Sequence, residues 1–510
     1  MGYKIISLKL ATDYTSGDLK KAVGRKLKVR DFQVSIIGKS LDARDKNRIH
    51  WLIRLGVSSP EIKGEPAAST PPLDIPKRKR EGRVVITGSG PAGIFTGLVL
   101  QRAGFRTTIV ERGSEVDVRD RAVQEFETSG LFNSRNNYAF GEGGAGTFSD
   151  GKLTSRSKHI SREKRFITES YIKAGAPEEI GFLAHPHLGT DNLLGITRSL
   201  RRAYEEMGGE FLFDTLLEDL IVQGGRVTAA KTSRGILDAS HVIIAAGHSA
   251  YETFRMLMNR GVGFNTKNFA LGCRIEHSQE TINRAQWGTD HLPGVKAAEY
   301  RLTAKPDGGL PVYTFCMCPG GVVVPASAYR DGNIVNGMSR YKRDGLFANA
   351  ACVAGVNLDE LLDREVDPCG ALSFVEELEH KFYEFSGGYN APYATIEDFL
   401  NERVSSGGAL SSYPMGLIPA PLNELLPRKV SHSLKLGLEI FSRKIKGFNK
   451  GIIMGLESKT SSPLQVQRSK SGLCSGFSNL YVVGEGSGWS GGIISSGADG
   501  IRAALSLAEE

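Results

Sequence analysis

The sequence is poor in cysteine and in long apolar runs. Only six cysteines occur in 510 residues, and none of them forms a Cys-x-x-Cys pair. Such sparse cysteines do not build a disulfide framework, which favours a reducing compartment. No apolar run is long enough to cross a bilayer, and residues 1–6 lack a signal-peptide pattern. The sequence therefore predicts a cytoplasmic protein without a membrane partner, and its length predicts more than one domain.

Positive charge is concentrated at the amino-terminal end. The net charge is +8, whereas residues 1–80 alone carry an excess of ten positive charges. This asymmetry is typical either of a nucleic-acid-binding surface or of a solvated basic face. Alternation and turn residues predict a small basic α/β module over residues 1–70, followed by a linker over residues 71–82 that is rich in proline and charge.

A glycine motif directly follows the linker. Residues 84–87 predict a buried strand, and the Gly-x-Gly-x-x-Gly pattern after it predicts a tight turn into a helix whose first amides face a pyrophosphate. The next strand, residues 107–110, ends at an acid 23 residues after the first glycine, where a carboxylate accepts hydrogen bonds from an adenosine ribose. Arg119 or Arg121 would reach the diphosphate. The predicted cofactor residues here are Gly88, Gly90, Pro91, Ala92, Gly93, Glu111, Arg112 and Arg119.

A second glycine-rich stretch spans residues 140–153. So many glycines let the backbone lie flat against a cofactor, whereas a flexible surface loop is the alternative interpretation. The polar residues Ser149, Asp150 and Lys152 favour the cofactor contact, because a spacer does not need them. The predicted contacts are Gly144, Gly146, Thr147 and Ser149.

Two later segments have the pattern of strands that end in glycine. Residues 239–247 form one, and residues 479–484 form the other, followed by an acid, more glycines and a helix. Together with residues 84–111, these segments predict one extended cradle for FAD, in which the last helix faces the flavin edge with its amino end. The predicted contacts from these and the preceding strands are Leu217, Ala246, Gly247, Gly484, Glu485, Gly491, Gly492 and Ile493.

These segments define the predicted fold class. It is α/β, with a Rossmann-like FAD-binding domain made of residues 83–267 and 456–510. Residues 268–455 contain no second Gly-x-Gly-x-x-Gly motif and predict an inserted α+β substrate domain.

Seven further stretches are distinctive: Phe140-Gly-Glu-Gly-Gly-Ala-Gly-Thr-Phe-Ser-Asp-Gly-Lys-Leu153, Pro186-His-Leu-Gly-Thr-Asp191, Arg274-Ile-Glu-His277, Thr314-Phe-Cys-Met-Cys-Pro-Gly-Gly321, Asn336-Gly-Met-Ser339, Thr460-Ser-Ser-Pro463 and Gly484-Glu-Gly-Ser-Gly-Trp-Ser-Gly-Gly492. They resemble motifs of the uncharacterised bacterial FAD-dependent dehydrogenases, a group of glutathione-reductase-like flavoproteins with two dinucleotide-binding domains. The resemblance implies FAD, the fold above and an oxidoreductase activity, but no particular substrate. This chain has Glu457-Ser-Lys459 where the family has Glu-Thr-Arg, which puts a shared contact with a substrate anion in doubt.

The predicted catalytic residues are Cys316, Cys318 and His277. Side chains two apart in a strand share a face, so the thiols would form a redox pair or a thiolate base above the flavin; buried structural cysteines are the alternative. No cation that would activate them is evident from the sequence. His277 would donate a proton, and its neighbours Arg274 and Glu276 would form an ion pair.

No metal is predicted. His185 and His187 have the spacing of metal ligands, but the sequence shows no further ligand cluster near them.

The sequence thus predicts an FAD-dependent oxidoreductase that transfers a hydride between the flavin and a small organic substrate. NAD(P)H would bind transiently, or another reductant would serve. The alternative is a flavoenzyme that acts on RNA docked through residues 1–80, and a flavin-bearing scaffold without turnover is a third class. The oligomeric state is not predicted.

Overall fold

The computed structural model describes residues 2–65 and 70–509. Its strands are β1 (Gly2–Leu10), β2 (Gln33–Asp42), β3 (His50–Ser59), β4 (Arg83–Thr87), β5 (Arg106–Val110), β6 (Glu210–Leu212), β7 (Leu217–Gln223), β8 (Arg226–Thr232), β9 (Gly235–Asp238), β10 (His241–Ile244), β11 (Phe264–Thr266), β12 (Phe269–Ser278), β13 (Thr303–Ala304), β14 (Val312–Pro325), β15 (Val335–Ser339), β16 (Phe347–Val356), β17 (Ala391–Thr395), β18 (Leu417–Pro419), β19 (Ile452–Glu457), β20 (Leu464–Val466) and β21 (Leu480–Val482). Its α-helices are α1 (Ser16–Leu27), α2 (Pro91–Ala103), α3 (Val116–Ser129), α4 (Ser161–Lys173), α5 (Thr190–Glu206), α6 (Tyr251–Asn259), α7 (Gln279–Trp287), α8 (Leu358–Leu362), α9 (Pro368–Ser386), α10 (Ile396–Leu400), α11 (Leu422–Leu425), α12 (Arg428–Lys444) and α13 (Ile493–Glu509).

The amino-terminal module is a three-stranded antiparallel sheet, in the order β1-β3-β2, with α1 packed on it. The helix begins with a capping box, in which Thr15 and Asp18 satisfy each other's backbone amides. The apolar face of the sheet, which includes Ile6 and Ile53, is buried against α1. The module thus contains the strands and the helix of the predicted small α/β fold. Residues 66–69, which precede the predicted linker, lie outside the described residues.

A five-stranded parallel sheet organises the part of the chain predicted to bind the cofactor. Its order is β21-β10-β4-β5-β6, so three segments far apart in sequence run side by side. Helix α2 packs closely on this sheet, because a Cβ at Gly93 would lie 1.9 Å from the Gly88 carbonyl oxygen. Helix α13 returns against α2 just as closely, since a Cβ at Gly500 would lie 2.3 Å from the Ala92 oxygen. The predicted Rossmann-like α/β arrangement is confirmed.

Residues 269–457 add a second, larger sheet. It has eight strands in the order β13-β14-β16-β12-β19-β17-β18, with β15 paired to β14, and most of its pairs are antiparallel. Helix α12 covers it through Val430, Leu434, Leu438 and Phe441, which belong to the same core as the strands. Strand β12 at the start of this segment pairs with β19 at its end, so the two ends of the segment lie side by side. This geometry fits an insertion between residues 268 and 455.

Two local features shape the approach to the site. Strand β14 runs without a break through residues 312–325, with register shifts on either side of Cys318. Helix α5 is capped by Gly189 without a side-chain hydrogen bond. The Asp191 carboxylate instead accepts a hydrogen bond from the amide of Tyr341, a long-range contact that local sequence does not reveal.

No helix within residues 2–65 and 70–509 has the length and apolar character needed to cross a membrane.

The close packing of α2 on β4 gives a test of this part of the fold. We expect Gly93→Ala to cost about 1–3 kcal/mol through overpacking against the Gly88 carbonyl, lowering the thermal midpoint by several degrees. Gly195→Ala in α5 is the matched control, because no atom lies within 4 Å of its added methyl group and alanine is the better helix former. Thermal unfolding followed by circular dichroism measures both. Equal midpoints for the two variants would contradict the packing described here.

Candidate active site

A cavity of about 250 Å³ runs along the carboxyl ends of the parallel strands. One water needs only about 10–15 Å³, so this cavity accommodates a far larger ligand. Glu111 and Glu485, which are 374 positions apart in the chain, line the same continuous space. The predicted cofactor residues that line it are Gly88, Gly90, Pro91, Ala92, Glu111, Arg112, Gly144, Gly146, Ser149, Leu217, Ala246, Gly247, Gly484, Glu485, Gly492 and Ile493.

Two glycine loops meet at the amino end of α2. A Cβ at Gly144 would lie 3.1 Å from the Cα of Gly90, and the φ of Gly144 is +62°, so the second loop has little room for a side chain at this contact. Gly88 has a φ of +94°, and a Cβ there would lie 2.5 Å from the Ala245 oxygen. Helix α2 begins with Pro91 and has no side-chain cap, which leaves its first amides available to an anion. The cradle fits a pyrophosphate approached by bare backbone.

The Glu111 carboxylate links the two glycine loops through hydrogen bonds to their backbone. One oxygen accepts hydrogen bonds from the amide and hydroxyl of Ser89, at 3.0 and 2.7 Å. The other accepts from the amides of Gly113 and Gly141, at 3.0 and 3.2 Å. Contact with a ribose hydroxyl, as the sequence predicts, would therefore be shared with Ser89. The carboxylate has a structural role in the cradle besides any contact with a ligand.

Arg119 does not have the position predicted for it. Its guanidinium is fully buried and donates to the backbone oxygens of Asn137, Tyr138, Gly141, Glu142 and Gly144, at 2.7–3.3 Å. Arg119 therefore supports the second glycine loop and does not reach a diphosphate.

Arg112 is the arginine that lines the cavity. It lies over the Phe140 ring at 4.0 Å and pairs with Glu252. Arg121, the other arginine considered for the diphosphate, is exposed and does not line the cavity.

Four other predicted residues stand beside the cavity without lining it. Gly93 packs α2 on the strand, and the hydroxyl of Thr147 lies 3.5 Å from the Glu142 oxygen. A Cβ at Gly491 would lie 3.5 Å from a carboxylate oxygen of Glu485. The fourth, Cys318, is fully buried behind Cys316.

Three buried polar atoms in the cavity wall have no hydrogen-bond partner. They are the Thr87 hydroxyl, the Thr460 hydroxyl and Nε2 of His248. An unsatisfied buried polar group costs about 1–3 kcal/mol, so three along one cavity indicate a polar ligand. His248 also places Nδ1 at 3.7 Å from the Glu485 carboxylate. Thr460 belongs to a stretch that carries the family resemblance, but no motif or spacing marked it, Thr87 or His248 as a ligand contact. Only the folded chain brings the three together.

The far end of the cavity is built by the inserted sheet and by Lys152. Phe315, Cys316 and Asn336 line it. The Lys152 ammonium lies 3.0 Å from the Asp150 carboxylate and donates to the Met317 oxygen.

Asp150 itself is fully buried. Although burial alone would raise its pKa, Lys152 and Arg343 hold the pKa of Asp150 well below its usual range. This carboxylate thus stays ionised and fixes the cation beside Cys316.

Cys316 breaks the regular geometry of β14. Its φ is +45°, rare for a residue with a side chain, and the register shifts between Phe315 and Cys318. As a result Cys316 opens on the cavity while Cys318 is fully buried. The Cys318 thiol donates to the Cys316 oxygen at 3.3 Å.

The two thiols are in different electrostatic situations. The hydrogen bond with Cys318, aided by Lys152 and Arg274, lowers the pKa of the Cys316 thiol to about 6 despite its burial. The same hydrogen bond and burial raise the pKa of the Cys318 thiol well above its usual value. Activating cations are therefore present, contrary to what the sequence indicated.

Arg274 is paired differently from the prediction. Its guanidinium contacts Glu457 on the neighbouring strand β19 at 2.7 Å, and neither side chain is exposed to solvent. Glu276 instead accepts a hydrogen bond from the Ser412 amide at 3.1 Å. Burial raises the pKa of Glu457 to about 7, although Arg274 opposes the shift. The expected Arg274–Glu276 pair is wrong because a cross-strand carboxylate lies closer than the one two residues along the chain.

His277 lies in the core of the inserted domain. Its Nε2 is 2.7 Å from the Phe448 oxygen and its ring packs against the Phe448 ring, with the centroids 4.5 Å apart. Burial lowers the pKa of His277 to about 4, and the side chain does not line the cavity. The structure therefore separates this predicted proton donor from the other site residues.

The described residues contain no cluster of three or more histidine, cysteine or acidic side chains able to hold a metal. Of the two histidines with metal-like spacing, His185 is exposed, whereas Nε2 of His187 lies 3.0 Å from the Tyr341 oxygen.

Comparison with known sequences gives two family matches. A profile described as "FAD-dependent protein, C-terminal domain-like" matches residues 268–460, and an FAD binding domain profile matches residues 81–131. An uncharacterised protein of Clostridium beijerinckii is 36% identical over 532 aligned residues, which cover 100% of this chain and 99% of that protein. A D-amino acid dehydrogenase of Agrobacterium fabrum is 38% identical over 85 residues, which cover 16% of this chain and 20% of that enzyme.

Solved structures show weaker likeness. CtdE in complex with FAD has a TM-score of 0.36 and 10% identity, with 84% of this chain and 89% of that chain covered. L-proline dehydrogenase from P. horikoshii has a TM-score of 0.35 and 12% identity, with 85% and 94% covered.

The role given to Arg119 can be tested against its neighbour Arg121. We expect Arg119→Met to loosen the second glycine loop, because five backbone oxygens lose their buried donor. Limited proteolysis should then cut within residues 137–146 faster than in the wild type. Arg121→Met changes an exposed arginine on the same helix and should leave the cleavage rate unchanged. A similar rate for all three proteins would argue against a supporting role of Arg119.

The thiol environment predicts a pH-dependent reactivity of Cys316. Because its pKa is lowered, the thiolate is present above about pH 6, and alkylation by iodoacetamide should slow only below that pH. Lys152→Gln should move this profile up by about one pH unit, since a nearby cation is removed. The other charges facing the two thiols, namely Asp150, Arg274, Arg343 and Glu457, stay in place.

Peptide mass spectrometry gives the alkylation rate at each cysteine separately. Lys267→Gln is the matched control, because Lys267 also donates to a backbone oxygen beside the site, that of Gly488. A Cys316 profile that rises only above pH 8 in the wild type would contradict the activated thiol.

Proposed function

Since this chain belongs to a family of FAD-dependent oxidoreductases, we propose that it transfers a hydride between the flavin of bound FAD and a small organic substrate. The observation that carries the proposal is the single cavity that joins Glu111 to Glu485 along the ends of four parallel strands. The substrate would enter at the Cys316 end. The closer assignment to the glutathione-reductase-like flavoproteins belongs to this proposal and rests on the same cradle.

The proposed placement of FAD follows the chemistry of the cavity wall. The diphosphate would lie at the amino end of α2, where the two glycine loops meet. The adenosine would lie beside Glu111 and Arg112, and the ribityl chain beside Gly247 and Glu485. When bound, FAD supplies the hydride chemistry, whereas the protein supplies position and electrostatics.

The residues at the substrate end have separate roles in this proposal. Lys152 is held by Asp150 and keeps positive charge beside Cys316. The Thr460 hydroxyl and Nε2 of His248 lack protein partners and would bind polar groups of a ligand. The lowered pKa of Cys316 brings its thiol towards neutrality, which suits it to accept or return a proton.

The electron donor and the RNA alternative stay predictions. None of the described residues of the amino-terminal module lines the cavity, so the site itself gives no reason to favour RNA over a small substrate.

Glu111 offers a test of the cofactor assignment. In Glu111→Gln, the amide nitrogen must face at least one of the backbone donors that the carboxylate accepts. One buried donor left without an acceptor costs about 1–3 kcal/mol, which predicts FAD binding weaker by roughly tenfold to a hundredfold. Glu125→Gln changes an exposed residue of α3 and should bind FAD like the wild type.

Flavin absorbance and fluorescence titration of the deflavinated proteins measure these affinities. Anaerobic photoreduction of the wild-type holoprotein should then bleach the flavin band, and a substrate oxidant should restore it. A purified protein that carries no flavin and takes up none on titration would refute the proposed function.

A further inference from the structure

We propose that Cys316 and Cys318 form a redox-active dithiol at the substrate end of the cavity, which exchanges with low-molecular-weight disulfides. The inference deepens the proposed function by naming a substrate class for that end of the site. Thiol–disulfide exchange itself needs no flavin, so only the coupling of the pair to FAD rests on the proposed function.

The two cysteines are held in mutual contact. The Cys318 thiol donates to the Cys316 oxygen at 3.3 Å, and the Arg274 guanidinium donates to that oxygen at 2.9 Å. The same guanidinium nitrogen lies 3.6 Å from the sulfur of Cys318. Residues two apart in a regular strand have Cα atoms about 6.6 Å apart, near the upper limit of about 6.8 Å for a disulfide. The left-handed backbone of Cys316 breaks that extension, which favours closure of the ring.

The unusual backbone at Cys316 is maintained by surrounding contacts. A residue with a side chain seldom adopts a φ of +45°, and such strain persists only where neighbours enforce it. Here Arg274 binds the Cys316 oxygen and Lys152 binds the Met317 oxygen, so two cations fix both peptide groups between the thiols. Arg274 is itself locked by Glu457, and Lys152 by Asp150. A loop of purely structural cysteines has no need of this arrangement.

Accessibility distinguishes the roles of the two sulfurs. Cys316 lines the cavity beside the half-exposed Phe315, whereas Cys318 has no solvent exposure. Lys152 and Arg274 favour the Cys316 thiolate, whose pKa is lowered, while the pKa of Cys318 is raised. Cys316 therefore suits the attacking sulfur and Cys318 the resolving one.

The exchange balances without any further reactant. The Cys316 thiolate attacks one sulfur of a disulfide RSSR, the S–S bond breaks, and one RS⁻ leaves with its electron pair. The Cys318 thiol gives its proton to that RS⁻, and the resulting thiolate attacks the Cys316 sulfur. The mixed disulfide breaks, the second RS⁻ leaves, and Cys316 and Cys318 are joined. RSSR has gained two electrons, and the cysteine pair has lost two.

Oxidised and reduced glutathione serve as the probe for full-length protein that retains its bound flavin. After equilibration at a series of ratios and an acid quench, mass spectrometry should show that the peptide with residues 316–318 loses two hydrogens in one two-electron transition. Buried Cys273, Cys352 and Cys474 should stay reduced. Exposed Cys369 is the internal control, since it should form only a mixed disulfide with glutathione.

Cys318→Ser provides the second measurement. Without the resolving thiol, glutathione should remain attached to Cys316, whereas in the wild type this adduct should not accumulate. The inference is overturned if the 316–318 peptide stays fully reduced at ratios that modify Cys369, or if glutathione accumulates on wild-type Cys316. Repeating the titration on deflavinated protein distinguishes the dithiol from the proposed FAD-dependent function. If the protein exchanges with glutathione but cannot rebind FAD, the proposed function is refuted while the dithiol is supported.

Discussion

The contact of bare backbone at Gly90 and Gly144 is the constraint on which the cofactor end of the site depends. The two loops approach so closely that a methyl group on Gly144 would touch the Cα of Gly90. Where two stretches of backbone approach so closely, their N–H and C=O groups are not covered by side chains, and each group needs a hydrogen-bond partner. Glu111 supplies acceptors to amides of both loops, while Arg119 supplies donors to the carbonyls of the second. Two buried charges of opposite sign thus support a surface that carries almost no side chains.

At the other end of the cavity, buried ion pairs hold the backbone in place, and they join the glycine loop to the inserted segment. Asp150 follows the second glycine loop, yet it binds Ser339 at the end of β15 and Arg343 in the turn after that strand. Lys152, two residues later, binds the Met317 oxygen in β14. Breaking one partner of such a buried pair costs more than the pair contributes, because it leaves an uncompensated charge. The network therefore ties the position of the inserted sheet to the loop that contacts the cofactor end, and the position of Cys316 follows.

How far the sequence predicts this site depends on the range of the interactions involved. The glycine spacing, the strand that ends at Glu111 and the closing Gly484-Glu485 turn are local signals, and the parallel sheet brings them into one cavity as expected. The pairing of side chains could not be predicted from the sequence in the same way. Arg274 pairs with Glu457 across two strands whose residues are about 180 positions apart, and no sequence pattern encodes that register. The bulge at Cys316 likewise arises from pairing with β16, so alternation along β14 alone misplaced Cys318.

The surroundings of Lys459, at a position where the resemblance implies an arginine, can be understood in the same physical terms. Its ammonium lies 2.8 Å from the buried Glu379 carboxylate and 4.1 Å from the centre of the Tyr251 ring, and it also contacts the Tyr251 hydroxyl. A point charge suits this small space, where a planar guanidinium would present a wider fork of donors. Because Glu379 already neutralises Lys459, an anionic substrate would gain little from it. The atoms of the cavity wall without a protein partner are instead the hydroxyls of Thr87 and Thr460 and Nε2 of His248, so these are the polar atoms left for a ligand.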